Sequence, residues 1–347
     1  MKIIVAPLSR LQSASKPVSA TRLADFITLM KPRVMLLAVF TALVGWACAP
    51  HEVDPTRAFV ALIAVIAGAG AAGVLNMWYD ADIDAVMSRT AMRPIPRGDV
   101  SRVEALAFGL VLAIAAVLSL ALATNLTAAA LLGGAIFFYV VVYTAWLKRS
   151  TPQNIVIGGA AGALPPVIGW AAATGDVGME PIALFLIIFL WTPAHFWALA
   201  LNRADEYARA GVPMLPVVSG SAATKRQILI YSVLSAGASG LPWVIGLAGL
   251  LYAATAAICG AILVGLAFQL SRSREGDRRT AHRLFVFSIA YLFMLFAALL
   301  VDHGGGARSS VLAPKDVRAA AEFVRIDLLS ATVQPDRGSI GGRASEV

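Results

Sequence analysis

The sequence predicts an all-α, multi-pass membrane protein of about nine spans, and three features predict it. Of 347 residues, 59% are hydrophobic and only 14% charged, where an average soluble chain is about one-quarter charged. The apolar residues fall in blocks of about 20, the length of helix that crosses a ~30 Å hydrocarbon core. Lys and Arg sort between alternate loops.

In order, the blocks read as spans 28–49, 57–79, 103–123, 125–146, 153–173, 181–201, 227–247, 250–270 and 284–301. With the N-terminus in the cytoplasm, the segment up to Arg33 carries six Lys and Arg. The loops on the same side carry four (80–102), two (Lys148 and Arg149), four (202–226) and five (271–283); the opposite loops hold only Arg57. That 21-to-1 split follows the positive-inside rule and supports both the span count and the orientation. The net charge of +8 is therefore mostly topological. It calls for no nucleic-acid partner, although a basic face favours anionic lipid and anionic substrates.

The ends differ from the transmembrane domain, 24–301. Residues 1–23 hold Arg10, Lys16 and Arg22, several serines and a single acid-free run up to Leu23. They resemble a transit peptide in composition, but Pro7 and Pro17 spoil an amphipathic helix, and a basic cytoplasmic tail is the simpler reading. Residues 302–347 are polar and mixed in charge, with a short helix expected near 315–328 and disorder elsewhere. Cys48 and Cys259 lie in or beside apolar spans without neighbouring Cys or His, so they read as small packing residues.

One stretch departs from the apolar pattern: NMWYDADIDAVMSRTAMRPIPRG, Asn76 to Gly98. At ~100° per residue, Asn76, Asp80 and Asp84 share one helical face in two i,i+4 steps, where like charges repel. Acids at membrane depth are costly and need a partner. A hard divalent cation relieves both problems, and Mg²⁺ binds through one or two carboxylates plus substrate phosphates. Arg89, Arg93 and Arg97 follow in one loop stiffened by Pro94 and Pro96, and guanidinium matches phosphate oxygens as a fork. The plainer alternative is a solvated loop whose acids and arginines neutralise each other. The order Asn-x3-Asp-x3-Asp, then Arg-x3-Arg-Pro-x-Pro-x-Gly, favours half of a Mg²⁺–diphosphate site.

Asn76–Gly98 resembles the first aspartate-rich motif of the UbiA superfamily of intramembrane prenyltransferases. YTAWLKRSTPQNIVIGGAAGALPPVIGWAA (Tyr143–Ala172) and WTPAHFWALALNRADEYARAGVPMLPVVSG (Trp191–Gly220) are similar to the branch of that family that attaches a farnesyl chain to haem. The likeness covers roughly residues 25 to 300. It implies spans around a central cavity, with two helix-ending motifs facing each other across Mg²⁺ and diphosphate. It places Asn76, Asp80 and Asp84 at the metal and Arg93 at the diphosphate, with Asp82 off that face. It also implies farnesyl diphosphate and haem b (protohaem IX) as substrates, haem O as product, and a downstream haem A synthase or oxidase assembly factor as partner. A bacterial inner membrane is the expected location, with the mitochondrial inner membrane as alternative. The second motif departs from the Asp-x3-Asp of quinone-type members. Arg203 and Tyr207 stand at those positions, and Asp205 and Glu206 are off register. Arg203 and Arg209 are then candidates to hold diphosphate oxygens directly.

Four further features carry two readings each. Lys148 and Arg149 suit an anion or simply anchor the fourth span. Tyr143, i,i+4 from Tyr139, is a cavity residue by the resemblance. Gly158, Gly159 and Gly162 form a small-residue face for close helix packing. His195 is the one histidine within a span, beside Trp191, Phe196 and Trp197. It is either a hydrogen-bonded packing residue or a haem contact, and intramembrane polar groups lean functional. His51, His282 and His303 carry no signal.

Three rival functions remain at this level. One is a UbiA-type enzyme with a quinone or chlorophyllide acceptor, which the missing second Asp-x3-Asp disfavours. Another is an intramembrane cation transporter, which needs polar residues at mid-depth in several spans. The third is a non-catalytic haem scaffold, which leaves the aspartates and arginines without a role.

Overall fold

The computed structural model describes residues 20–50 and 54–304. The expected helix near 315–328 and most of the basic tail lie outside the described residues. Backbone contacts divide the chain into Met1–Ala307 and Arg308–Val347, and every described residue belongs to the first unit.

All regular structure among the described residues is helical. In order the principal helices are α1 (Ala20–Leu29), α2 (Pro32–Cys48), α3 (Pro55–Tyr79), the short α4 (Ala81–Val86), α5 (Arg102–Ala123) and α6 (Leu126–Phe137). Then follow α7 (Asn154–Ala163), α8 (Pro165–Thr174), α9 (Met179–Leu201), the short α10 (Ala204–Arg209), α11 (Gly220–Ala238), α12 (Leu250–Arg272) and α13 (Arg278–Gly304). Eight stretches are long and apolar enough to cross a membrane: 55–79, 102–123, 126–150, 154–174, 179–201, 220–244, 250–272 and 278–303. The ninth expected span, 28–49, is a bent pair, Arg22–Leu29 and Pro32–Cys48, meeting at 51°. Pro32 has no N–H to continue a helix and disfavours αR at the residue before it. Lys31 leaves the right-handed helical region and sits in the left-handed one at φ 56°, the one non-glycine residue there among those described.

Two departures from the periodic reading shape the site. The span expected to end at 146 runs to Ser150, because Phe138–Leu147 forms a π-helix that continues α6. The helix of the first motif breaks at Asp80, where α3 gives way to α4. The i,i+4 ladder nonetheless persists: Asp80 N–H donates to the Asn76 carbonyl (2.9 Å) and Asp84 N–H to the Asp80 carbonyl (2.8 Å).

Close approaches of backbone fix the bundle. A Cβ at Gly45 would lie 2.1 Å from the Pro166 carbonyl oxygen, and one at Gly169 2.0 Å from that of Ala42. Glycine is therefore what lets α2 cross α8, the small-residue contact that replaces hydrophobic drive between helices in lipid. Gly158 lies against Tyr143 and Gly159 against Thr192, as a packing face requires; Gly162 meets open space instead. Outward-facing side chains are apolar: Leu122, on α5, is 89% exposed. Cys48 and Cys259 are buried and free, as expected of packing residues.

The loops rich in Lys and Arg gather on one face. Arg149 reaches Asp82, Ser88 reaches Glu206, Asn202 reaches the Arg278 carbonyl, and Lys225 caps the Ser273 and Arg274 carbonyls. Beneath this charged face a buried cluster joins Ile83, Met87, Tyr143, Trp197, Tyr207 and Leu284. It forms the apolar floor of the site.

Candidate active site

Asn76, Asp80 and Asp84 are all buried, at 5%, 1% and 3% exposure. Uncompensated charge at that depth costs several kcal/mol, so the partners decide what the cluster is. The Asn76 amide donates to Asp80 Oδ2 (2.9 Å) and Thr144 Oγ1 (3.0 Å), and its Oδ1 accepts from Lys31 Nζ (2.5 Å). Lys148 Nζ pairs closely with Asp80 Oδ2. Arg93 Nη1 donates to Asp84 Oδ2 at 2.6 Å. Arg149 forks onto both oxygens of Asp82 (2.8 Å each), lies over the Tyr79 ring and comes within 3.5 Å of Asp80 Oδ1. That fork holds the half-exposed Asp82 carboxyl down at about 2, so the pair persists across physiological pH. The cluster thus brings three carboxylates together with four basic side chains, Lys31, Arg93, Lys148 and Arg149, one basic group more than the acids. A neutralised loop would have no such surplus. This one is set to receive an anion.

The sequence placed Lys148 and Arg149 between anchoring and anion binding; both point into the cluster. Tyr143 is buried beneath it and packs against Tyr139, ring centroids 5.4 Å apart. Arg97 departs from the expectation of a phosphate ligand: its guanidinium pairs with Asp99 and, at 3.4 Å, Asp25. Arg89 is exposed. Pro94 makes the difference between Arg93 and Arg97, because it starts the turn Pro94–Arg97 with Arg93 as the extended residue before it.

Two participants escaped the sequence reading. Lys31 looked like one more positive-inside anchor; only the bend at Pro32 turns its ammonium toward Asn76. Thr144 looked like an ordinary apolar-span residue. The π-helix, a rare form concentrated at functional sites, aims its hydroxyl at Asn76 while that hydroxyl donates to the Tyr139 carbonyl (2.8 Å).

The second motif stands across from the first. Arg203 Nη1 donates to Glu206 Oε1 (2.7 Å), which also accepts from Ser88 of the first motif's loop (3.1 Å). Those hydrogen bonds, Arg203's foremost, hold the Glu206 carboxyl below its usual range. Arg203 is therefore engaged by a carboxylate, and Arg209 opens onto a separate cleft with Arg278 and His282. Glu206, off register in sequence, is the acid that meets the first motif.

Among the described residues no group of three or more His, Cys, Asp or Glu is placed to hold a metal alone. Mg²⁺ needs only one or two carboxylates beside substrate phosphates, and one observation fits it directly. Asp80 Oδ1 is buried and accepts no hydrogen bond among the described residues. Buried acceptors rarely stay unsatisfied without a functional reason. Asn76, Asp80 and Asp84 together offer the hard oxygen set such an ion takes.

His195 lies apart from this cluster, on the seam of α9 and α13. Its ring is stacked between Trp191 (4.3 Å) and Phe285 (4.7 Å). Ser288 Oγ lies 2.7 Å from both the Phe285 carbonyl oxygen and His195 Nδ1, and with its proton on the carbonyl it accepts from Nδ1–H. That tautomer has its lone pair on Nε2. Trp197, expected beside it, instead meets Tyr231 edge-on. His282, which carried no signal in sequence, stacks at 6.3 Å on Phe285.

A spanning bundle that ends in buried acids ringed by basic side chains, over an apolar floor, can hold an anionic head group and an apolar tail together. Residues 38–299 match the model of the UbiA prenyltransferase family. The chain is 58% identical over 281 residues to the protoheme IX farnesyltransferase of Rhizobium meliloti (strain 1021), covering 80% of this chain and 89% of that one. It is 52% identical over 300 residues to that of Agrobacterium fabrum (strain C58 / ATCC 33970), covering 86% and 95%. A UbiA homolog from Archaeoglobus fulgidus bound to DMAPP and Mg²⁺ shares the fold at TM-score 0.60 and 16% identity, over 80% of this chain and 99% of that one. A digeranylgeranylglyceryl phosphate synthase shares it at TM-score 0.68 and 21% identity, over 82% and 99%. The chain belongs to the UbiA prenyltransferase family.

Proposed function

We propose that the chain transfers the farnesyl group of farnesyl diphosphate to a vinyl group of haem b, giving haem O and diphosphate. The observation that carries the chemistry is the surplus of cations around Asn76, Asp80 and Asp84. The names of relatives above 50% identity across most of the chain carry the choice of acceptor.

The allylic C–O bond must break with its electron pair leaving on diphosphate. Lys31, Arg93, Lys148 and Arg149 stand where that negative charge grows, in a site floored by apolar side chains and poor in water, where preorganised charge acts strongly. Asn76, Asp80 and Asp84 would hold a Mg²⁺ ion, which would supply Lewis-acid stabilisation of the same leaving group. The terminal vinyl carbon then forms the new C–C bond, and water adds at the neighbouring carbon with loss of a proton, giving the hydroxyethyl product. The net change is haem b plus farnesyl diphosphate plus water to haem O plus diphosphate. Asp80 and Asp84 also serve as resting partners for Lys148 and Arg93. In binding diphosphate, Lys148 and Arg93 would exchange those carboxylates for phosphate oxygens.

His195 offers Nε2 to the haem acceptor from the α9–α13 seam. His195→Ala should weaken haem binding or shift the haem absorption bands, with farnesyl diphosphate use intact. A purely structural histidine would instead lower thermal stability and handicap both substrates alike. Arg93→Lys keeps charge but loses the guanidinium fork. It should raise the farnesyl diphosphate KM about tenfold and leave haem affinity as it was; an unchanged KM returns Arg93 to a loop-holding role.

The charged face is cytoplasmic in this reading, in a bacterial inner membrane, and haem O passes to a haem A synthase or oxidase assembly step. The acceptor is tested by giving purified protein farnesyl diphosphate and Mg²⁺ with haem b, or with a quinone precursor ring. Farnesylation of haem alone is expected. Farnesylation of the ring alone would replace the acceptor but keep the site.

A further inference from the structure

We infer that the cleft between the α10 loop and the start of α13 is a carboxylate-binding site that grips the two propionates of the porphyrin. The inference rests on the haem reading above.

The cleft holds about 600 Å³, within the ~300–1,000 Å³ of small-molecule sites. Arg203, Arg209 and Glu206 on one wall face Arg278, Arg279 and His282 on the other, with Asp205 at the edge. Glu206 is occupied by Arg203 and Ser88. No ion pair engages Arg209, Arg278 or Arg279 among the described residues. Four arginines against two acids leave two positive charges, the number that two carboxylates neutralise. Arginine forks suit carboxylate geometry and give shorter, stronger bonds than neutral donors.

The rings behind the cleft lead to a porphyrin rather than to a small acid. From His282 an aromatic ladder runs inward through Phe285 and His195 to Trp191, every step stacked. It follows the α9–α13 seam from the charged face into the membrane. At 1.5 Å per residue, His195 lies about 10 Å below Asn202, and Phe285 about 10 Å below Arg278. That depth is comparable with the reach from a porphyrin's centre to its carboxylates. Trp191 and Phe285 cover both faces of His195, so a planar aromatic acceptor with its acids among the arginines would meet the ladder at the edges of its rings. The cation cluster at Asp80 is left free for the other substrate.

The test compares haem b with its propionate dimethyl ester, both as acceptors for the purified enzyme in neutral-lipid nanodiscs. The wild type should show a KM roughly ten- to a hundredfold lower for haem b, the scale of charge-assisted bonds lost on esterification. R278A/R279A should raise the haem b KM toward that of the ester, leaving the ester and farnesyl diphosphate values unchanged. R278K/R279K should recover part of the difference. Equal KM for acid and ester in the wild type, which requires no variant to fold, overturns the cleft while haem farnesylation stands. Full discrimination retained by R278A/R279A, with loss only of stabilisation by anionic phospholipid, assigns the arginines to lipid headgroups and overturns it too. A raised farnesyl diphosphate KM in that variant gives the cleft to diphosphate. No farnesylated product from haem b at all would remove the underlying reading instead.

Discussion

Asp80→Asn and Asp84→Asn should each cut farnesyl transfer roughly 10³-fold or more, the scale of losing a preorganised electrostatic stabiliser, while the protein stays inserted and folded. Both acids are almost fully buried and sit one helical step apart on the ladder from Asn76. Asparagine preserves shape and can still accept from Lys148 or Arg93. The substitution therefore removes charge and metal affinity with little change in packing. Alanine at either position should be as inactive but less stable, because it leaves Lys148 or Arg93 without its buried partner. Turnover is measured across a Mg²⁺ titration beside thermal unfolding. If either asparagine variant keeps substantial turnover at the parent's Mg²⁺ concentration, the row is not the metal site.

Lys31→Met should lower kcat/KM for farnesyl diphosphate about a hundredfold, with the haem KM unaffected. Its ammonium lies 2.5 Å from Asn76 Oδ1 and is presented by a left-handed backbone at the bend before Pro32. Holding a lysine in that conformation costs about 1–2 kcal/mol, a cost more often found where a site needs the side chain in place. Methionine keeps the aliphatic stem and removes the charge. If Lys31 merely anchored the first helix to the membrane face, Lys31→Met would alter insertion and leave the kinetics of correctly inserted protein alone. Steady-state kinetics on detergent-purified material separates these outcomes.

The difference between Lys31 and Asp80 shows what the sequence could carry. Helical periodicity links Asn76, Asp80 and Asp84 because the ladder holds through the break at Asp80, so that row was legible from spacing alone. The spans were legible for a similar reason: lipid forces apolar residues outward and backbone bonds inward, and Lys and Arg mark one side. Lys31 and Thr144 were not legible. One depends on a 51° bend and the other on a π-helix, and neither geometry has a periodic signature. Glu206 was legible as an acid off the Asp-x3-Asp register, but its hydrogen bond from Ser88 was not, because that contact joins residues 118 apart in the chain. His195 was legible as an unusual residue but not in its place, since stacking on Phe285 depends on the pairing of α9 with α13. The role of Arg97 was overestimated because two arginines four apart look alike until Pro94 turns the chain between them.

The most direct test of the account is the mass of the porphyrin recovered after purified protein is incubated with haem b, farnesyl diphosphate and Mg²⁺. Wild type should return haem heavier by one farnesyl group and one hydroxyl, with equimolar diphosphate released. Chelation of Mg²⁺ and Asp84→Asn should each return haem b unchanged. Recovery of unmodified haem b from wild type under the full conditions, or farnesylated haem from Asp84→Asn in undiminished yield, would contradict it.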